Sequence, residues 1–197
     1  MDKLDRQDLM TLEKYAEQRP NFRQQVIAHK KNRQVALGPN ATLYFEDRLT
    51  MQYQVQEILR IEKIFEASGI DEELEAYNPL IPDGSNWKAT FMIEYEEESE
   101  RRVQLAKLIG VERRIWVQIG DLDKVTPIAN EDLERETEDK TSAVHFLRFE
   151  LTADMVEAAR KGADIRMGVD HPNYDYQTGP LSRNIADSLV SDLALKH

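Results

Sequence analysis

Apolar residues in the first third of the chain recur at helical spacing. Leu9, Leu12, Tyr15 and Ala16 fall on one face, with Asp5 or Asp8 available near the start. Pro20 suits the first turn of a second helix that carries Phe22, Val26 and Ile27 on one side. A short hairpin is predicted next, from residues 34–37 and 42–46, joined through Gly38-Pro39-Asn40. Thr50 is placed to cap a long helix from Met51 to about Ala67, which Gly69 ends. A shorter helix begins near Asp71, where Asp71, Glu72 and Glu73 complement the helix dipole, and Asn78-Pro79 stops it.

After the turn-rich stretch 80–86 the period changes to two. Trp87, Ala89, Phe91, Ile93 and Tyr95 alternate with Lys88, Thr90, Met92 and Glu94, the spacing of a half-buried strand. A helix is predicted over residues 96–109 with Val103, Leu105, Leu108 and Ile109 inward. Strands follow at 115–119 and 125–129, the latter an edge strand because of Pro127. The strand 144–151 leads to a helix capped by Thr152 and ended by Gly162. A last strand at 165–169 and a closing helix over residues 184–195 complete the chain. This order implies an α+β protein: N-terminal helices with a short hairpin, then a mostly antiparallel sheet covered by helices. Residues 1–79 form the helical module, and residues 80–197 form an α+β sandwich packed against it as one globular unit.

Composition narrows the chemistry. The chain has 197 residues, 41% of them hydrophobic, which is enough for a real core. With 26 basic and 37 acidic residues the formal net charge is -11, a field that repels phosphate backbones and anionic lipid. Nucleic acid and membrane are therefore poor partners. The one basic cluster, Arg19, Arg23, Lys30, Lys31 and Arg33, reads as a solvated helix face. There is no cysteine, which removes disulfides, thiol nucleophiles and cysteine-ligated clusters. No apolar run approaches the roughly 20 residues that span a bilayer, and the start lacks a signal peptide's basic and apolar regions. A cytoplasmic location is expected.

Three polar positions and one loop stand out. Met51, Val55, Ile58, Leu59 and Phe65 share a broad helical face, and Glu62 falls inside that arc. A carboxylate there must be paired or protonated; a buried ion pair or backbone hydrogen bond is the favoured reading, a general acid or metal ligand the sharper one. His145 shares its strand face with Leu147 and Phe149, which turns it inward, while Arg148 and Glu150 take the other face. Most inward histidines donate a ring proton to a carbonyl or carboxylate; pairing with Glu62, or sharing an ion with it, is the alternative. Asp170-His171 ends a strand and, being adjacent, points to opposite sides. In the turn segment, Asp83, Asn86, Trp87 and Lys88 could surround a small anion, although Pro82-Asp83-Gly84 is first a turn and Trp87 first a core anchor. Gly-rich phosphate loops, the zinc-helix motif and the nucleophile elbow are absent.

Several segments look familiar: Arg33 to Pro39, Tyr53 to Glu62, Asn78 to Tyr95 (NPLIPDGSNWKATFMIEY), Lys140 to Leu151 (KTSAVHFLRFEL) and Gly168 to Pro172. Together they resemble the bacterial domain-of-unknown-function family thirty-five-oh-one over almost the whole chain. The resemblance implies companionship with rubrerythrin and with an iron–sulfur oxidoreductase of the heterodisulfide-reductase type, and so a part in peroxide defence or electron transfer. The leading expectation is a non-catalytic accessory or binding protein of such a redox system, working as a homodimer. Its acidic runs at 94–100 and 131–139 would dock a basic partner. The first alternative is a metal-binding protein or metal-dependent enzyme with Glu57, Glu62, His145 and His171 as ligands. The second is a small-anion sensor built on Asp83, Asn86, Trp87 and Lys88.

Overall fold

A computed structural model describes residues 2–137 and 139–194. Helix α1 (Leu12–Lys30) starts at Thr11, whose hydroxyl accepts from the Lys14 amide. It is one continuous helix with Pro20 inside, not the two helices that Pro20 suggested. Pro20 is exposed, so water can hydrate the carbonyl that its missing N–H leaves free. Strands β1 (Gln34–Ala36) and β2 (Ala41–Glu46) form the expected hairpin, with Gly38 at φ 76°.

Helix α2 (Arg48–Glu62) opens with a reciprocal cap: Asp47 accepts from the Thr50 amide, and Thr50 Oγ1 accepts from the Asp47 amide. It stops at Lys63, which takes the left-handed conformation at φ 56°. Helix α3 (Ala67–Tyr77) therefore begins sooner than the acidic run at Asp71 suggested, and Gly69 lies inside it. Met51, Val55 and Leu59 of α2 are buried as expected, but Glu62 is exposed and Phe65 is 75% exposed. The apolar arc is buried as far as Leu59, whereas Ile61 and Glu62 at the end of the helix are exposed.

β3 (Asn86–Ile93), α4 (Glu98–Lys107), β4 (Ile115–Ile119), β5 (Ile128–Ala129), β6 (Val144–Glu150), α5 (Ala153–Arg160), β7 (Ile165–His171), β8 (Tyr174–Gln177) and α6 (Arg183–Val190) follow. On α4, Leu105 and Leu108 face inward, while Val103 and Ile109 are exposed. β8 was not anticipated, because Tyr174-Asp175-Tyr176-Gln177 has only one buried side chain. The last helix ends at Val190 and residues 191–194 are turn and coil, so it stops short of its predicted end at Leu195, which lies outside the described residues, as does Glu138 of the second acidic run.

Two antiparallel sheets result. One has five strands in the order β1-β2-β3-β6-β5, with the Pro127-adjacent β5 at its edge; the other has three, β4-β7-β8. The hairpin of the N-terminal segment pairs directly with β3, so a continuous sheet crosses the 79/80 position. The main core lies between the sheets and α5–α6. It includes Phe45, Trp87, Phe91 and Phe149 from one sheet and Val117, Ile165 and Met167 from the other. A second, smaller core joins Leu4, Met51, Val55, Leu59, Leu74 and Ile81 beneath α2 and α3.

A candidate ligand cavity on the outer sheet face

Strand alternation decides what each face of the five-stranded sheet presents. In β3, Trp87, Ala89, Phe91 and Ile93 enter the main core, so Lys88, Thr90 and Met92 are turned the other way. The β3–β6 register sets Lys88 opposite Arg148 and Thr90 opposite Phe146. Two cations are thus cross-strand partners on one face, an arrangement that by itself destabilises a sheet. Glu131 compensates Arg148 through a two-pronged pair at 2.8 and 2.6 Å, and Glu150 also pairs with it. Lys88 makes no ion pair among the described residues; its ammonium donates to the Pro79 carbonyl.

Over this face, Ala76, Tyr77, Pro79 and Leu80 close a cavity of about 580 Å³ against Lys88, Phe146, Leu147 and Arg148, with Glu73, Glu131 and Asp132 at its margins. Its size and mixed apolar and charged lining suit a small organic ligand. Burial lowers the Lys88 pKa from its ordinary value, and the neighbouring charges of Lys3 and Arg148 lower it further, against the opposing pull of Asp83 and Glu131. Burial raises the Glu73 carboxyl, with Glu62 and Glu72 adding to it. Arg148 holds Glu131 below the usual carboxylate range.

Of the four turn residues expected to surround an anion, Lys88 alone lines the cavity. Asn86 braces it from behind: its side chain donates to Glu150 at 2.9 Å and accepts from the Asp83 amide at 3.0 Å, tying the turn to the Arg148 pair. The Asp83 carboxylate accepts from the Ser85 amide and hydroxyl, so it fills the turn's own donors. Trp87 is fully buried on the opposite face and donates to the Leu189 carbonyl at 2.8 Å. Arg148, Glu131, Phe146 and Tyr77 were not singled out as ligand residues, because the strand register that collects them has no local sequence signal.

The four proposed metal ligands are not brought together. Glu57 on α2 accepts from Tyr15 at 2.6 Å and from Arg19 at 2.7 and 3.0 Å, which with Arg60 holds its pKa down to about 2. Glu62 sits in solvent at the end of α2, and no pair with His145 forms. His145 is completely buried; the network assigns its Nε2–H to the Ser142 carbonyl at 3.0 Å, with Nδ1 accepting from Asn130 at 3.0 Å. Burial pushes its pKa down to about 4, so it is neutral. His171 ends β7 with Nε2 3.1 Å from the Ile109 carbonyl and Nδ1 accepting from the Asn173 amide. Among the described residues no group of three or more His, Asp or Glu is placed to hold a metal ion.

A buried charged cluster escaped notice in the sequence. Arg33, assigned there to a solvated face, is 1% exposed. It leaves the end of α1 to run beneath α6, donating to Asp192 at 2.5 and 3.3 Å and to the carbonyls of Phe45, Glu46 and Ser188. Asp47, itself 2.5 Å from His29, lies 3.4 Å from Arg33.

The fold and cavity define an α+β protein of two antiparallel sheets with a pocket on the outer face of the larger one. By its sequence the chain belongs to the family described as Protein of unknown function (DUF3501), whose model matches residues 3–193. It is similar to the crystal structure, at 1.90 Å resolution, of a novel protein of unknown function from Burkholderia pseudomallei K96243. That similarity has 50% sequence identity and a TM-score of 0.92, covering 98% of this chain and 100% of that one. No curated protein matches. No helix among the described residues is long and apolar enough to cross a membrane.

Proposed function

We propose that this chain is a non-catalytic binding protein that takes a small organic anion with an apolar body in the Lys88 cavity. The observation that carries this reading is the cross-strand placement of Lys88 beside Arg148 over an apolar pocket. Arg148 already has two carboxylates, whereas the Lys88 ammonium donates to the neutral Pro79 carbonyl and feels Asp83 and Glu131 through space, so a directly bonded anion improves the electrostatics at Lys88. Tyr77, Leu80 and Phe146 supply the apolar contact. The redox setting implied by the family resemblance belongs to the same proposal, with an iron–sulfur oxidoreductase or rubrerythrin as partner of the homodimer.

Thermal unfolding tests the ligand half. A carboxylate such as isocaproate at about a hundred times its Kd stabilises by about 2.7 kcal/mol. For a chain of this length that raises Tm by roughly 5–10 °C. Lys88→Met abolishes the rise. A panel of carboxylates and phosphates that leaves Tm unmoved, or a shift that survives Lys88→Met, overturns the reading. Absence of co-purification with the iron–sulfur oxidoreductase overturns the partner half.

A further inference from the structure

We infer that the Lys88 cavity captures a small carbonyl compound covalently and reversibly, the Lys88 amine condensing with a 2-oxo acid or aldehyde to an imine. This rests on the ligand-binding reading and names the ligand class. The geometry supplies the three things the condensation needs. First, a primary amine lines a pocket with apolar walls, Tyr77, Leu80 and Phe146, that can hold the body of the carbonyl compound. Second, the amine must be uncharged to attack. Burial disfavours its charged form first; Lys3, held near by its bonds to the Asn78 and Ile81 carbonyls, and the register partner Arg148 add repulsion, against the opposing pull of Asp83 and Glu131. Desolvation and adjacent positive charge are the two means by which a lysine becomes a nucleophile near neutral pH. Third, Glu73 lines the same cavity with a carboxyl that burial favours in its protonated form.

The step balances without an oxidant or reductant. The neutral Nζ lone pair forms a C–N bond to the carbonyl carbon while the C=O π bond breaks, and one of the two Nζ protons passes to the carbonyl oxygen, giving a neutral carbinolamine. Protonation of that hydroxyl, for which Glu73 is the available acid, breaks the C–O bond and releases one water. The nitrogen lone pair closes the C=N bond as the water leaves; the second Nζ proton stays on nitrogen, so the product is an iminium and Glu73 is left as a carboxylate. Hydrolysis reverses it, so the ligand is held and returned unchanged.

The test treats the full chain with α-ketoisocaproate and sodium cyanoborohydride and maps the reduced adduct by peptide mass spectrometry. The main adduct is expected on Lys88, the amine that lines the cavity, in clear excess over the exposed lysines. Its pH midpoint falls below that of exposed lysines, and Lys88→Arg abolishes it. The keto-free isocaproate separates the two readings, because Lys88→Arg keeps the cation and so keeps the thermal shift. Stabilisation by isocaproate without a Lys88 adduct overturns the imine and leaves the binding site standing. Labelling spread evenly over the lysines, or undiminished in Lys88→Arg, overturns the imine as well. If isocaproate neither stabilises nor competes and no adduct forms, both readings fall.

Discussion

Replacing Arg33 by methionine removes the most heavily bonded side chain among the described residues. Its guanidinium holds Asp192, which is 1% exposed, and also three backbone carbonyls of β2 and α6 that have their own requirement for a donor. Breaking a buried ion pair by removing one member costs about 3–5 kcal/mol, because the other charge stays buried alone. Each carbonyl left unpaired adds about 1–3 kcal/mol, although the terms overlap and do not sum. Asp47, the cap of α2, loses its neighbour as well. A loss of at least about 4 kcal/mol is expected, a large part of the 5–15 kcal/mol typical of a domain. In thermal unfolding this is a drop of roughly 8–16 °C. Urea titration followed by tryptophan fluorescence measures it directly, since Trp87 bonds to the same helix α6. The double variant Arg33→Met/Asp192→Leu removes the stranded charge and should regain about 2 kcal/mol or more. A loss below about 1 kcal/mol in Arg33→Met, or a double variant no better than the single one, would refute the claim that this pair locks α6 to the sheet.

Two groups give opposing pH dependences. Burial pushes the Asp192 carboxyl up to about 6 from 3.8, against the pull of Arg33, so its contribution is complete below about pH 4 and is lost as pH rises through 6. His145 is pushed down to about 4 from 6.5, so its contribution is present above 6.5 and lost as pH falls through 4. Each amounts to about 3 kcal/mol, and Asp192→Asn should expose the His145 slope as stability that rises from pH 4 to 6.5 in urea titrations. NMR of the His145 ring nitrogens checks the neutral state; a charged imidazole at pH 6 contradicts it. Glu57, held down to about 2 by Arg19, Tyr15 and Arg60, contributes stability that is lost between pH 4.5 and 2, so Glu57→Gln flattens the acid limb and costs about 1–3 kcal/mol at neutral pH. At Gly168, a Cβ would fall 2.8 Å from Trp116 Nε1 and closer still to its ring carbons. Gly168→Ala should therefore cost about 1–3 kcal/mol in urea titration, with a changed Trp116 environment in near-UV circular dichroism.

The strands were legible because one face of each is dry. Alternation in β3 and β6 sorted Trp87 and His145 inward and Lys88 and Arg148 outward correctly. His171 and Asp170 also took the opposite sides that adjacency requires, buried and exposed respectively. Periodicity failed where an element's environment changes along its length. Glu62 has the right angle for the core of α2 but is exposed at the helix's last residue, where its charge acts on Glu73 of α3 rather than entering the core. Val103 has the right angle on α4 but is left 52% exposed. Pro20 and Gly69 misled for a different reason: each weakens a helix locally, but a surface helix with caps and partners elsewhere tolerates one weak position. Pairings far apart in sequence had no local signal at all. Arg33 reaches Asp192 across 159 positions, and only the β3–β6 register sets Lys88 against Arg148.

The cavity owes its existence to the way the two cores meet. Leu74 and Ile81, with Tyr77 and Leu80 packed against them, belong to the small helical core, whereas Leu147 belongs to the large one between the sheets. Cationic side chains on the sheet's outer face keep α3 from packing flush, since burying Lys88 and Arg148 dry would cost more than the contact returns. The seam is left open where a ligand anion would compensate the charge. Ala76 lies on α3 at the mouth and is exposed. Ala76→Trp should then plug the cavity while changing stability by no more than about 0.5 kcal/mol, as expected for an exposed helix position. Isocaproate stabilisation and the Lys88 adduct should both vanish in Ala76→Trp while the far-UV spectrum stays unchanged. Survival of both in that variant would mean that the ligand meets Lys88 from outside the seam, and that the opening between the cores is a packing defect.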